Sequence, residues 1–257
     1  MPADPTTAQA PAQTSPLRCV LARDGRALLA GALTTVGVQL GLYLLARLAG
    51  VPQMQAALAT LAATVMWVTL AAPVLGASGA DALAGLLRGG CIADASAVTL
   101  IVLWLACPEV TFPAAVKIYC VLAAVALSAV AVGRLARSPD RRYALAVTAA
   151  LVMTVALASP LWIGGALRAA PDRAARGIAA AGVYVNPFYA VTAAIAAEAR
   201  FVWHQAGVMY RITRIGDYAD APPARWYPCV LIHLAVAILL GAAAHLRHRR
   251  RAEDPRT

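Results

Sequence analysis

From residue 27 to residue 46 the chain runs for twenty residues without a charged side chain, and apolar runs of similar length return at 55–75, 95–112, 113–133, 143–165 and 228–245. An α-helix rises about 1.5 Å per residue, so about twenty apolar residues cover the roughly 30 Å of hydrocarbon in a bilayer. No other use of the chain suits six such runs. The expected fold is an all-α polytopic membrane bundle of about six transmembrane helices. An interfacial helical segment is expected between the fifth and sixth, on the outer side.

Composition agrees. Apolar residues make up 61% of the chain, charged residues only 13%, and mean hydropathy is +0.69. Soluble domains run near half apolar and a quarter charged, so a water-soluble enzyme is excluded. The 257 residues fill six spans and one long loop, leaving no room for a second, soluble domain.

The net charge of +10 is placed, not spread. Of 22 basic residues all but Lys117 are arginine, and they gather at the ends of apolar runs. That pattern reports membrane orientation and lipid head-group contact, so no nucleic-acid partner is expected. Thirteen arginines fall on one side: three at 18–26, Arg88, four at 134–142 and five at 247–256. The positive-inside rule then puts both termini in the cytoplasm of a multi-pass cell (inner) membrane protein. Residues 1–25 read as a disordered tail, 26–248 as the membrane domain, 166–227 as its outer segment and 249–257 as a basic tail. The outer segment carries seven arginines, but long loops escape the rule.

Two local patterns give candidate functional residues. Asn186-Pro187 starts a helix well, because Asn can cap a free N–H and Pro suits the first turn. The helix it starts is expected to reach about Gln205 and to carry Glu198, Arg200, Trp203 and His204 in its second half. That is too short and too charged to cross, so an interfacial or re-entrant element is expected. A shorter helix is expected over 171–181. In the loop after the second run, Asp81 comes early, Arg88 late, and Gly89-Gly90 follow. Acid first, base last and glycine after predict a short capped helix that could meet a partner.

Motif chemistry is mostly excluded. The single lysine is followed by Ile118, so there is no P-loop, and no HExxH, EF-hand, dinucleotide or CxxCH pattern occurs. The five cysteines show neither a CxxC pair nor metal spacing and read as small apolar residues in spans; Cys107 and Cys229 both fall near the outer face, where a bridge could form. No cofactor, metal or catalytic residue is expected. Gly76-Ala77-Ser78-Gly79 resembles the serine motif of rhomboid intramembrane proteases, with His233 as the possible base. Close helix packing explains those small residues more simply. Few ionisable residues fall within the expected spans, so no charged midplane pathway is expected.

In layout the chain resembles the ABC-2 type permease subunits. The matching positions are the basic stretch from Arg18 to Arg26, the loop helix from Asp81 to Arg88, and the outer segment around Asn186-Pro187-Phe188-Tyr189. The resemblance implies a permease that works with a separate ATPase, pairs with a second permease as a homo- or heterodimer, and meets its ATPase through Asp81 and Arg88. A non-catalytic scaffold or assembly subunit is the alternative, and an intramembrane serine protease the third reading.

Overall fold

The computed structural model describes residues 16–79, 82–136, 138–159, 162, 167–199 and 225–252. Its elements, among the described residues, are all helical: α1 (Pro16–Leu48), α2 (Gln53–Ala77), α3 (Ala82–Ala106), α4 (Phe112–Gly133), α5 (Pro139–Leu157), α6 (Asp172–Val185), α7 (Pro187–Ala199) and α8 (Tyr227–Ala252). Five helices, α1 to α4 and α8, are long and apolar enough to cross a membrane. A sixth is reached if α6 and α7, bent by 69° at Asn186, count as one span. The membrane-bundle expectation therefore holds.

The bundle has two ends. The start of α1, the α2–α3 and α4–α5 connections and the end of α8 share one, called here the terminal end. The α1–α2 and α3–α4 turns form the opposite end. α4 is the hub and packs against α2, α3, α5, α7 and α8. Its interior face is built from Ile118, Val121, Leu122, Val125 and Ala129, all buried. α1 leans on α3 and α2 and leaves Leu29, Leu33, Leu44 and Leu45 facing outward, as a lipid-facing helix does.

Local signals explain the helix starts. Pro113 and Pro139 sit in first turns, where a missing N–H costs nothing, and the Thr111 and Ser138 hydroxyls accept from the amides of Ala114 and Arg141. Gly50, at φ 78°, turns the chain between α1 and α2 in a conformation that favours glycine.

Three boundaries differ from the expectation. The third crossing is not 95–112: α3 runs unbroken from Ala82 to Ala106, and the expected loop helix is its first two turns. Gly89 and Gly90 therefore cap nothing. A Cβ on Gly89 would overlap Val130 and lie 2.9 Å from the Ala72 carbonyl oxygen. The glycine is there because α2, α3 and α4 approach too closely for a side chain. The fifth run is represented by α5, whose 19 residues carry Asp140, Arg141 and Arg142 directly after the opening Pro139. It is not among the helices apolar enough to cross. Finally, α1 begins at Pro16, inside the segment expected to be a tail.

Candidate functional site

The polar side chains gather in three places. The first is the bend between α6 and α7. α6 ends at Val185, Asn186 is non-helical, and Pro187 opens α7. Asn186 Oδ1 accepts from the Phe188 amide over 3.0 Å, which caps α7. Its Nδ2 donates to the carbonyl oxygen of Leu157 over 3.0 Å, one of the orphan carbonyls at the end of α5. Its own backbone amide reaches Gly182 O and closes α6. One buried residue, by its side chain and its amide, joins three helix ends.

The bend is also held from α8. His233 Nε2 lies 3.2 Å from the carbonyl oxygen of Val185, and Nδ1 lies 2.9 Å from Ser128 Oγ on α4. A carbonyl only accepts, so Nε2 donates. The Ser128 hydroxyl also lies 2.9 Å from the Val125 carbonyl oxygen, so with a neutral ring its one proton is shared between that oxygen and Nδ1. Ser128 lies about 24 Å along α4 from its Phe112 end, so the bend is held well inside the bundle. The segment that follows is tightly enclosed: Phe188, Tyr189, Val191 and Ile195 are all buried. The sequence predicted the cap and the helix start at Asn186 and Pro187, and also the short helix before them. It missed Ser128 and Leu157, which lie far off along the chain. Of the other expected residues, Glu198 is placed near the end of α7 while its side chain lies outside the described residues. Arg200, Trp203 and His204 lie outside them altogether.

The second place is the terminal end. Asp24 on α1, only 3% exposed, receives Arg88 Nη2 at 2.8 Å and Arg23 Nε at 3.1 Å. The other terminal nitrogen of Arg88 donates to Ser78 O at 3.0 Å and to Ser78 Oγ at 2.7 Å. Arg88 thus ties α1, the end of α2 and α3 into one corner. Its side chain keeps 19% of its surface exposed. Asp81, its expected companion, lies outside the described residues. Asp24 escaped notice in the sequence because three arginines surround it and nothing local shows which one it meets.

Ser78 and His233 are not brought together. Ser78 is held by Arg88 and donates to Leu75 O, while His233 is engaged by Ser128 and Val185. The small residues at Gly76 and Gly79 serve packing instead: a Cβ on Gly79 would overlap the backbone of Gly85. The four cysteines whose side chains are described, Cys91, Cys107, Cys120 and Cys229, are free thiols. Cys107 donates to Glu109 Oε2 at 3.0 Å and Cys229 to Val185 O at 3.5 Å, so the Cys107–Cys229 bridge is not formed.

The third place is a single carboxylate within α3. Asp94 stands midway along α3, twelve residues from each end. It faces out of the bundle, and Tyr119 Oη on α4 donates to its Oδ1 over 2.6 Å. Val98, Ile101 and Leu105 continue the same outer face. Reading the third crossing as 95–112 had left Asp94 just outside the membrane. Deeper in, Gln39 Nε2 donates to Ser96 Oγ at 2.9 Å and Trp67 Nε1 to Thr35 Oγ1 at 3.0 Å, both between helices. Among the described residues no group of three or more His, Cys, Asp or Glu could hold a metal ion.

No family model matches this chain, and no curated protein or solved structure matches it either. Function has to come from the geometry alone.

Proposed function

We propose that this chain is the membrane-embedded permease subunit of a transporter driven by a separate ATPase. The observation that carries the reading is the helix break at Asn186. Non-helical backbone at membrane depth is tolerated only where protein encloses it or it lines a cavity, and broken helices are how transporters bring polar backbone to a pathway. Here the Asn186 side chain accepts from the Phe188 amide and His233, itself held by Ser128, meets the Val185 carbonyl, which supports a re-entrant element built to stay in place. The thirteen arginines on one side support a cytoplasmic terminal end. There the α2–α3 connection, braced by Arg88 against Asp24, would receive the ATPase as a stiff lever.

The test is affinity purification of the full chain in mild detergent, with mass spectrometry of what accompanies it. A stoichiometric P-loop ATPase is the expected result. Recovery without one, under conditions that keep other transporter complexes whole, overturns the reading.

A second reading, a non-catalytic assembly subunit, is favoured by Asp94. A carboxylate facing outward at mid-span calls for a neighbour, and an intramembrane partner would supply it. In that case purification yields a membrane protein in place of an ATPase.

A further inference from the structure

α3 packs against α1, α2 and α4, and the part of it left uncovered is a ridge at helical spacing: Leu86, Gly90, Asp94, Val98, Ile101 and Leu105. Its large apolar members are exposed, as residues against lipid are. Asp94 is the exception. Acids within spans ordinarily face the bundle interior or a wet cavity and pair with a base, and lipid tails supply neither water nor charge. The residues on both sides of Asp94 along α3, and Tyr119 across from it on α4, are all described.

Two details give this ridge the form of a docking face. Tyr119 Oη donates to Oδ1 of Asp94 at 2.6 Å, and Oδ2 receives no hydrogen bond from the described residues. The ion pairs seen at the terminal end both belong to Asp24, and among the described residues no cation is paired with Asp94. One turn from Asp94 toward the terminal end, Gly90 leaves a notch in the ridge, where a Cβ would meet nothing within 4 Å. A glycine on an outward face lets the backbone of a second helix come close.

We infer that this face docks a transmembrane helix of a different protein, one that carries an arginine or lysine at mid-span, with its backbone against Gly90 and its base on Oδ2 of Asp94. Charge complementarity at that depth selects the occupant. Asp94 stands twelve residues, about 18 Å, from either end of α3. A second copy of this chain offers no base so deep. Within the five crossing helices the bases are Arg23, Arg26, Arg47, Arg88, Lys117 and Arg247, each six residues or fewer from an end. The two deepest, Arg88 and Lys117, already have partners. The inference rests on the assembly reading of Asp94 and is independent of the ATPase.

The test uses the full chain, donor-labelled in phosphatidylcholine vesicles, and an acceptor-labelled synthetic transmembrane peptide of leucine and alanine. Three peptides differ in one feature: an arginine at mid-span, a glutamine at mid-span, or an arginine one turn from the end. Arginine is chosen because it stays charged. Energy transfer is expected to show the mid-span arginine peptide binding about tenfold more tightly than the other two. Asp94→Asn keeps the acceptor for Tyr119 and should abolish that preference. Gly90→Leu keeps the charge, fills the notch and should weaken the same peptide by about tenfold; unchanged helical circular dichroism and elution volume show that it still folds. Equal binding of the three peptides, a preference that survives Asp94→Asn, or full binding to Gly90→Leu overturns the inference. So does energy transfer between two labelled copies of the full chain that Asp94→Asn abolishes, which would make the occupant a second copy. A membrane partner recovered on purification together with equal peptide binding would keep the assembly reading and remove the basic helix.

Discussion

The Asn186 side-chain amide donates to the carbonyl oxygen of Leu157 over 3.0 Å, joining the bend between α6 and α7 to the far end of α5. The same side chain caps α7 through Phe188, so its two ends do separate work. Asn186→Ala removes both bonds and should cost about 1–3 kcal/mol of stability, since Leu157 O is left unpaired away from water. Asn186→Asp keeps the cap but turns a buried carboxylate oxygen onto the Leu157 carbonyl oxygen, which costs more than losing both bonds. Thermal unfolding in one detergent should rank the native chain above Asn186→Ala, and Asn186→Ala above Asn186→Asp. Equal stability of the three would remove Asn186 as the joint.

Gly89 and Gly90 are adjacent and should respond oppositely to one methyl group. On Gly89 a Cβ meets Val130 and the Ala72 carbonyl, and backbone cannot move aside cheaply. Gly89→Ala should therefore destabilise by about 1–3 kcal/mol, as overpacking does. On Gly90 a Cβ meets nothing, so Gly90→Ala should gain about 0.5–1 kcal/mol from helix propensity. If both variants lose stability, the helix crossing described here is misplaced.

That pair also shows where sequence reading stops. Asn186-Pro187 was legible because a cap and its proline are neighbours, and the rule that links them is local. Gly89-Gly90 follows an arginine, which is the local pattern of a helix end, and only the approach of α2 and α4 shows that the helix continues. The error propagated. Ending a loop helix at Gly89 pushed the third crossing toward 112 and left Asp94 outside it. Charge obscured the rest: Asp24 sits among Arg18, Arg23 and Arg26, and its partner Arg88 is 64 residues away. Ser128 and His233, 105 residues apart, carry no signal that would pair them.

Arg88 and Asp24 should behave as one unit. Arg88→Gln leaves Asp24 to Arg23 alone and frees the backbone of Ser78, so α1 should lose its hold on the α2–α3 corner. Asp24→Asn should do similar damage, and the double variant little more than either alone, because both single changes break the same link. Melting temperatures of the three variants check this. Strict additivity would mean that the two residues act separately.

Cys107 lies in the turn between α3 and α4, and burial with Glu109 beside it pushes its thiol up to about 11. The thiolate is the reactive form, so the folded chain should resist maleimide at Cys107 near pH 8 and label there only once unfolded. On a variant whose other cysteines are serine, the folded rate should rise steeply only above about pH 10. Rapid labelling of the folded chain at pH 8 would show that Glu109 does not hold the thiol.

Asp94 gives the prediction that separates architecture from use. A carboxylate at the centre of a lipid-facing helix costs about 2.5–3.5 kcal/mol on insertion scales, and one bond from Tyr119 recovers only part of that. Leucine at the same place would continue the outer face of Val98 and Ile101. In phospholipid nanodiscs Asp94→Leu should therefore unfold at a higher denaturant concentration than the native chain, a gain of about 1–2 kcal/mol once the Tyr119 bond is subtracted. An acid kept at that cost serves something outside the isolated chain, and Asp94→Leu should then lose whatever subunit the native protein brings through purification. If Asp94→Leu is instead less stable, the Asp94–Tyr119 bond is an internal clasp between α3 and α4, and the acid marks no neighbour.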